Sequence, residues 1–119
     1  MSAATDIFEN TLLETLSTDA STLHLYTADP GEDDSGTEVS DASYVEQSIS
    51  FNTAASGSMT SDGAITFPAF DGAVTVSHWG IQNASDVLLV YGAITGGSIA
   101  ADAGDQIKFA DEALVVSCD

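Results

Sequence analysis

The chain has 119 residues, 19 of them Asp or Glu, and Lys108 is its single Lys or Arg, so the formal net charge is −18. That balance excludes naked nucleic acid and anionic membrane as partners, because both need Lys and Arg to displace counterions. The hydrophobic fraction is 44%, so the acids coat a foldable core and do not form a disordered acidic tail.

Residues 3–17 read as a short amphipathic helix. Ile7, Phe8, Leu12, Leu13 and Leu16 recur every three or four positions and form one apolar stripe. Thr5 suits the N-cap, and Asp6 and Glu9 fall in the first turn, where the helix dipole favours anions. Ser17 to Ser21 lacks the pattern and ends the helix. A helix this short is marginal alone, so the stripe must cover a sheet or dock on another subunit.

From residue 22 the periodicity becomes two. Leu23, Leu25 and Thr27 alternate with Thr22, His24 and Tyr26, and Val45, Gln47, Ile49 and Phe51 alternate with Tyr44, Glu46, Ser48 and Ser50. Further strand signals are Ile65 with Phe67, Val74 to Gln82, Val87 to Thr95, Gln106 to Phe109 and Ala113 to Ser117. Gly, Ser, Asn and Asp clusters separate them, such as Ser61-Asp62-Gly63, Asp71-Gly72 and Gly96-Gly97. The pattern predicts a mainly β fold: one domain over residues 1–119, with an antiparallel β-sandwich or jelly-roll-like arrangement over 22–118 after the helix. Val87 to Ile94 is apolar on both faces and is expected as a central strand, with the helix on its outer face. Asp29 to Ala42 is the only linker-like stretch.

A compact domain of this charge repels itself in ordinary salt, and near molar salt the Debye length falls to about 3 Å. The composition therefore points to a protein working in concentrated salt; the alternative is an acidic domain that meets a cationic partner. Cys118 is the sole cysteine and cannot form an internal disulfide; as a small apolar strand residue it needs no further role. The first 20 residues show no secretory signal pattern, and the run Val87 to Ile94 is far short of the ~20 residues that cross a membrane as a helix. Synthesis in the cytoplasm, without membrane insertion and with release by lysis, is the expectation.

Candidate sites are few. Asp29, Glu32, Asp33, Asp34 and Glu38 share one loop, and calcium is the cation that such oxygen chemistry suits, although the spacing does not follow the EF-hand loop. His24 and His78 fall inside strands, no nucleophile elbow is present, and the near-absence of Lys and Arg removes phosphate clamps. No catalytic residues and no cofactor are expected. Trp79, in Val74-Thr75-Val76-Ser77-His78-Trp79-Gly80-Ile81, is a core residue or an aromatic anchor for a sugar or a neighbouring subunit. With Phe8, Leu12 and Leu16 it makes the candidate interface set.

The order of short motifs carries more than composition does. Leu23-His24-Leu25-Tyr26-Thr27-Ala28-Asp29-Pro30 is followed by Gly36-Thr37-Glu38-Val39 and by Tyr44-Val45-Glu46-Gln47-Ser48-Ile49-Ser50-Phe51. Then come Ile65-Thr66-Phe67-Pro68, Ser77-His78-Trp79-Gly80-Ile81, Gly92-Ala93-Ile94-Thr95 and Ala103-Gly104-Asp105-Gln106-Ile107-Lys108-Phe109. The series resembles a family of small tailed-phage proteins labelled tail-fibre or minor structural proteins. Glu46 stands where that family has a basic residue, and Asp41-Ala42 where it has Gly-Gly. The resemblance implies a non-enzymatic virion structural protein with a β-sandwich fold, on the capsid surface as decoration or turret or on the tail. With the charge, the implied source is a haloarchaeal tailed virus. Expected partners are further copies of the chain, the major capsid or tail protein and, as the alternative function, a host surface glycan read by Trp79 and the tyrosines.

Overall fold

A computed structural model describes residues 5–117; positions 3–4 of the expected helix, the side chain of Asp6, and Cys118 lie outside the described residues. The helix, α1 (Asp6–Asp19), opens at Thr5, whose hydroxyl accepts a 3.4 Å hydrogen bond from the Phe8 amide. It runs two residues past the expected end at position 17. Ser17 to Ser21 holds no Gly or Pro to break the helix, and the back-bonds from the Thr15 and Thr18 hydroxyls to the carbonyls of Thr11 and Glu14 weaken the last turns without ending them. Ala20 then caps the helix and starts the first strand in the same step.

The strands are β1 (Ala20–Tyr26), β2 (Gln47–Ser48), β3 (Ser58–Thr60), β4 (Ile65–Thr66) and β5 (Val74–Val76). They continue with β6 (His78–Asn83), β7 (Leu88–Ala93), β8 (Ile99–Ala101), β9 (Lys108–Phe109) and β10 (Val115–Ser117). Pairing is antiparallel throughout: one four-stranded sheet in the order β2-β1-β6-β7, and three two-stranded ribbons, β10-β3, β4-β9 and β5-β8. The fold is mainly antiparallel β with one short N-terminal helix, in a single compact domain whose strands do not close into a barrel. One core joins Leu23, Leu25 and Ile81 of the sheet to Met59, Ile65 and Val76 of the ribbons.

Three local expectations change. The run Val74 to Gln82 is two strands: at Ser77 the chain passes from the β5-β8 ribbon to the four-stranded sheet, its amide bonding to Tyr26 and its carbonyl to Ile94. The run Val87 to Ile94 forms β7, the edge of the sheet and not its centre. Its apolar character on both faces reflects half-exposed side chains, not double burial. The linker-like stretch after Asp29 is packed, with Pro30 and Val39 buried and the loop folded across the outer face of β1.

Two glycines let rings lie flat on this sheet, one on each face. Tyr26 and Leu88 cover Gly80, where an added Cβ would sit 2.8 Å from Tyr26 Cε1 and Leu88 Cδ1. The indole of Trp79 covers Gly92, where a Cβ would lie 2.6 Å from Cζ2 and 2.9 Å from Cε2. Both rings are held by the surrounding core, so overpacking results. Gly92→Ala is expected to cost about 1–3 kcal/mol in denaturant unfolding in molar salt, with a shift in Trp79 fluorescence reporting the displaced ring.

Candidate functional site

The acidic loop is a lid over the outer face of β1. Asp29 accepts from the Gly31 amide at 2.9 Å, and its other oxygen lies 4.0 Å from His78 Nε2. Asp33 is held below the usual carboxylate range by the Ser35 hydroxyl. Asp34 accepts from the Tyr26 hydroxyl at 3.0 Å, and Glu32 is exposed. Each carboxylate is thus spent on its own contact or on solvent. Among the described residues no three Asp, Glu, His or Cys side chains converge as a metal would require.

Glu38 is the exception in partner quality. One of its oxygens, Oε2, accepts from His24 Nδ1 and from the Tyr44 hydroxyl, both at 2.6 Å. Burial works to raise this carboxyl, but the bonds from His24 and Tyr44 and the attraction of the His24 ring outweigh it and hold the group below its ordinary value. Tyr44 also accepts from the Leu25 amide at 3.0 Å. That amide sits where β2 has ended and the loop has only begun to bridge β1 at Glu38, so the side chain replaces a missing ladder acceptor. The Tyr44 ring stacks on Phe67 with centroids 6.0 Å apart. Burial first, then Glu38, raises the Tyr44 hydroxyl, and burial with Asp34 pushes Tyr26 up to about 12. Both tyrosines are therefore neutral donors throughout the usable pH range.

Asp41 explains the replacement of the Gly-Gly turn. Its carboxylate accepts from the amides of Asp71, Gly72 and Ser43, each at 3.0 Å, and these bonds hold it below the usual range. It staples two loops that sequence spacing alone does not bring together.

The candidate interface residues separate into two places. Phe8 and Leu12 are open to solvent, 56% and 44% exposed, while Leu16 is half-buried. The stripe is only partly used, because α1 seats on Leu13 and the buried Glu9. Polar contacts fix that seat: Glu14 accepts from the Ala54 amide at 2.6 Å and Asn10 from the Gly57 amide at 2.9 Å. Leu12 and Leu16 face Leu89 and Val90 of β7 across a groove of about 380 Å³ that Val116 also lines. Beside the groove runs the outer edge of β7, unpaired among the described residues and free of charge and of proline from Leu88 to Ala93. Native sheets usually blunt such an edge.

Trp79, by contrast, is 9% exposed. It forms a wall of a second cavity, about 360 Å³, with Ile94, Thr95, Ile99, Lys108 and Phe109. The hydropathy pattern points to Trp79 and to the β9 strand but not to this cavity, since β8 carries too few residues to announce itself.

The described residues thus make an antiparallel β domain with an acidic lid, an open apolar groove and an unprotected strand edge, an architecture of the kind that structural subunits use. The family model described as podophage GP4 fiber I protein gp80 matches residues 3–117. The chain belongs to that family of phage fibre structural proteins, and the family is one of virion components. No curated protein matches the chain.

Proposed function

We propose that this chain is a non-enzymatic subunit of the tail fibre of a tailed virus from concentrated salt, assembling with copies of itself and with a neighbouring virion protein. The observation that carries the reading is the groove between α1 and β7 with the bare β7 edge beside it. On a surface with 19 acids and one base, most faces of two copies repel. The β7 edge is uncharged over Leu88 to Ala93 and Asp19 is the one acid lining the groove, so two copies bring fewer carboxylates together there than over the rest of the surface. Virion subunits act in symmetric sets, and an apolar face of this kind suits a closed point group. The fibre family supports the tail over the capsid surface, where a decoration or turret role would lie.

Sedimentation in molar salt tests the assembly. The native chain is expected as an oligomer and Leu12→Glu as a monomer with a nearly unchanged melting temperature, since Leu12 is 44% exposed. Mass spectrometry of purified particles tests the location: a few to a few dozen copies fit a fibre, hundreds fit the capsid surface. Absence from the particle together with a monomeric native chain would overturn the reading.

A second function, host-surface glycan binding, is supported by the cavity behind Trp79. It is compatible with the first, since fibres are the virion parts that touch the host.

A further inference from the structure

We infer that the Trp79 cavity is a binding site for a carboxylate-bearing pyranose, a uronate-type sugar unit; the inference deepens the glycan reading and rests on it. Three independent features converge there. The first is the indole N–H. Trp79 is nine-tenths buried, yet no side-chain hydrogen bond holds its nitrogen among the described residues. No described side-chain nitrogen or oxygen is both sealed and unpartnered. The N–H is therefore reached from outside, and the space Trp79 lines is this cavity. A buried Trp normally finds an acceptor for its N–H within the protein; here the N–H is left to water or to a guest that displaces it.

The second feature is Lys108, the one Lys or Arg of the chain, which lies on the cavity wall. Nineteen acids are available to it, and it makes no ion pair with any described residue. A cation scattered at random over so acidic a surface would tend to sit beside a carboxylate. Lys108 is exposed and lines a cavity with Ile94, Ile99 and Phe109, so an incoming anion meets a positive charge free to reach it.

The third feature is shape and polarity. A volume of about 360 Å³ lies at the small end of the range for small-ligand pockets. Ile94, Ile99, Phe109 and the indole supply apolar surface, and the Thr95 hydroxyl adds a further polar group. The matching guest is ring-sized, has one apolar face, is rich in acceptors and carries a single negative charge. A polyanion such as a phosphate polymer is excluded by the field of the remaining surface. A sugar ring with one carboxylate satisfies all of these conditions: its C–H face lies on the aromatic wall, a ring or hydroxyl oxygen accepts from Trp79, and the carboxylate pairs with Lys108.

The chain carries its own reporter, because Trp79 is its only tryptophan. The methyl glycosides of glucuronate and galacturonate, each with one carboxylate, and methyl glucoside and methyl galactoside as neutral controls, are titrated into the full chain in molar salt while Trp79 emission is followed. Saturable change with the uronates, and at least tenfold weaker response to the neutral sugars, is the expected result. By calorimetry, Lys108→Gln, a change at an exposed side chain, should weaken uronate binding about tenfold with its melting transition kept, the effect of losing one charge-assisted hydrogen bond; Trp79→Phe should weaken it several-fold, with a melting temperature lowered by the lost core volume. Equal binding of neutral and acidic sugars, unaffected by Lys108→Gln, would overturn the carboxylate assignment and leave the glycan reading standing. No response to any sugar up to about 50 mM would overturn the site itself. The fibre reading is judged separately, by copy number in the particle.

Discussion

The melting temperature of the isolated domain should fall by about 20 °C or more between molar salt and 0.1 M salt. Treating the folded and unfolded chains as screened spheres of charge −18, the folded state loses on the order of 5 kcal/mol relative to the unfolded state over that range. A domain has only about 5–15 kcal/mol in total, and 1 kcal/mol corresponds to several degrees at this size. Two controls separate charge from general salting-out. Sodium chloride and sodium sulfate at equal ionic strength should behave alike at the low end, where screening dominates. Glu32→Gln, Glu46→Gln, Asp62→Asn and Asp102→Asn change exposed acids that make no side-chain hydrogen bond, and together they take the net charge from −18 to −14. Repulsion scales with the square of the charge, so the quadruple variant should lose about 40% of the salt dependence. A melting temperature that is flat from 0.1 M to molar salt would remove the case for a saline habitat and restore the cationic partner as the explanation of the charge.

What the sequence made legible follows from the length of each signal. The helix and the mainly antiparallel β character rest on patterns of five or more positions, and both are seen. Alternation in Leu23-His24-Leu25-Tyr26 is real, but it separates two buried faces, not a buried from a wet one: His24 and Tyr26 are covered by the acidic loop. That covering joins residues 8 and 14 positions apart, and local hydropathy does not encode it. β3 and β8 are not legible in the sequence because three residues beside Gly57 or after Gly96-Gly97 look like turn. The edge position of β7 is not legible because full apolarity is shared by a strand buried on both faces and a half-exposed edge strand; periodicity cannot tell them apart. At the candidate sites the residue types were legible and the groupings were not. Trp79 and Lys108 lie 29 positions apart in sequence, and only the turn from β8 to β9 brings both to one cavity.

Replacing the Glu38 carboxylate should give the largest single-residue loss outside the core. Glu38→Gln keeps the shape but removes the charge that accepts from both His24 and Tyr44. Hydrogen bonds to a charged acceptor contribute about 1.5–3 kcal/mol each, and an amide oxygen recovers part of that, so a net loss of about 2–3 kcal/mol at neutral pH is expected in denaturant unfolding. Tyr44→Phe should cost about 1–3 kcal/mol by a different route, since it strips the Leu25 amide of its acceptor in the ladder gap. The two differ in pH dependence. Because the native Glu38 carboxyl is held below 4.5, its contribution is complete above that value and disappears as pH falls through the lower native value. The gap between the native chain and Glu38→Gln should therefore close on the acid side, whereas the ladder component of the Tyr44→Phe loss persists. Molar salt is the condition for this test, because in dilute salt protonating the other carboxylates relieves self-repulsion and stabilises the fold over the same pH range. A Glu38→Gln deficit that is constant from neutral pH to below the carboxylate range would show that the side chain acts by packing alone, and that the His24–Glu38–Tyr44 contacts do not hold the lid by charge.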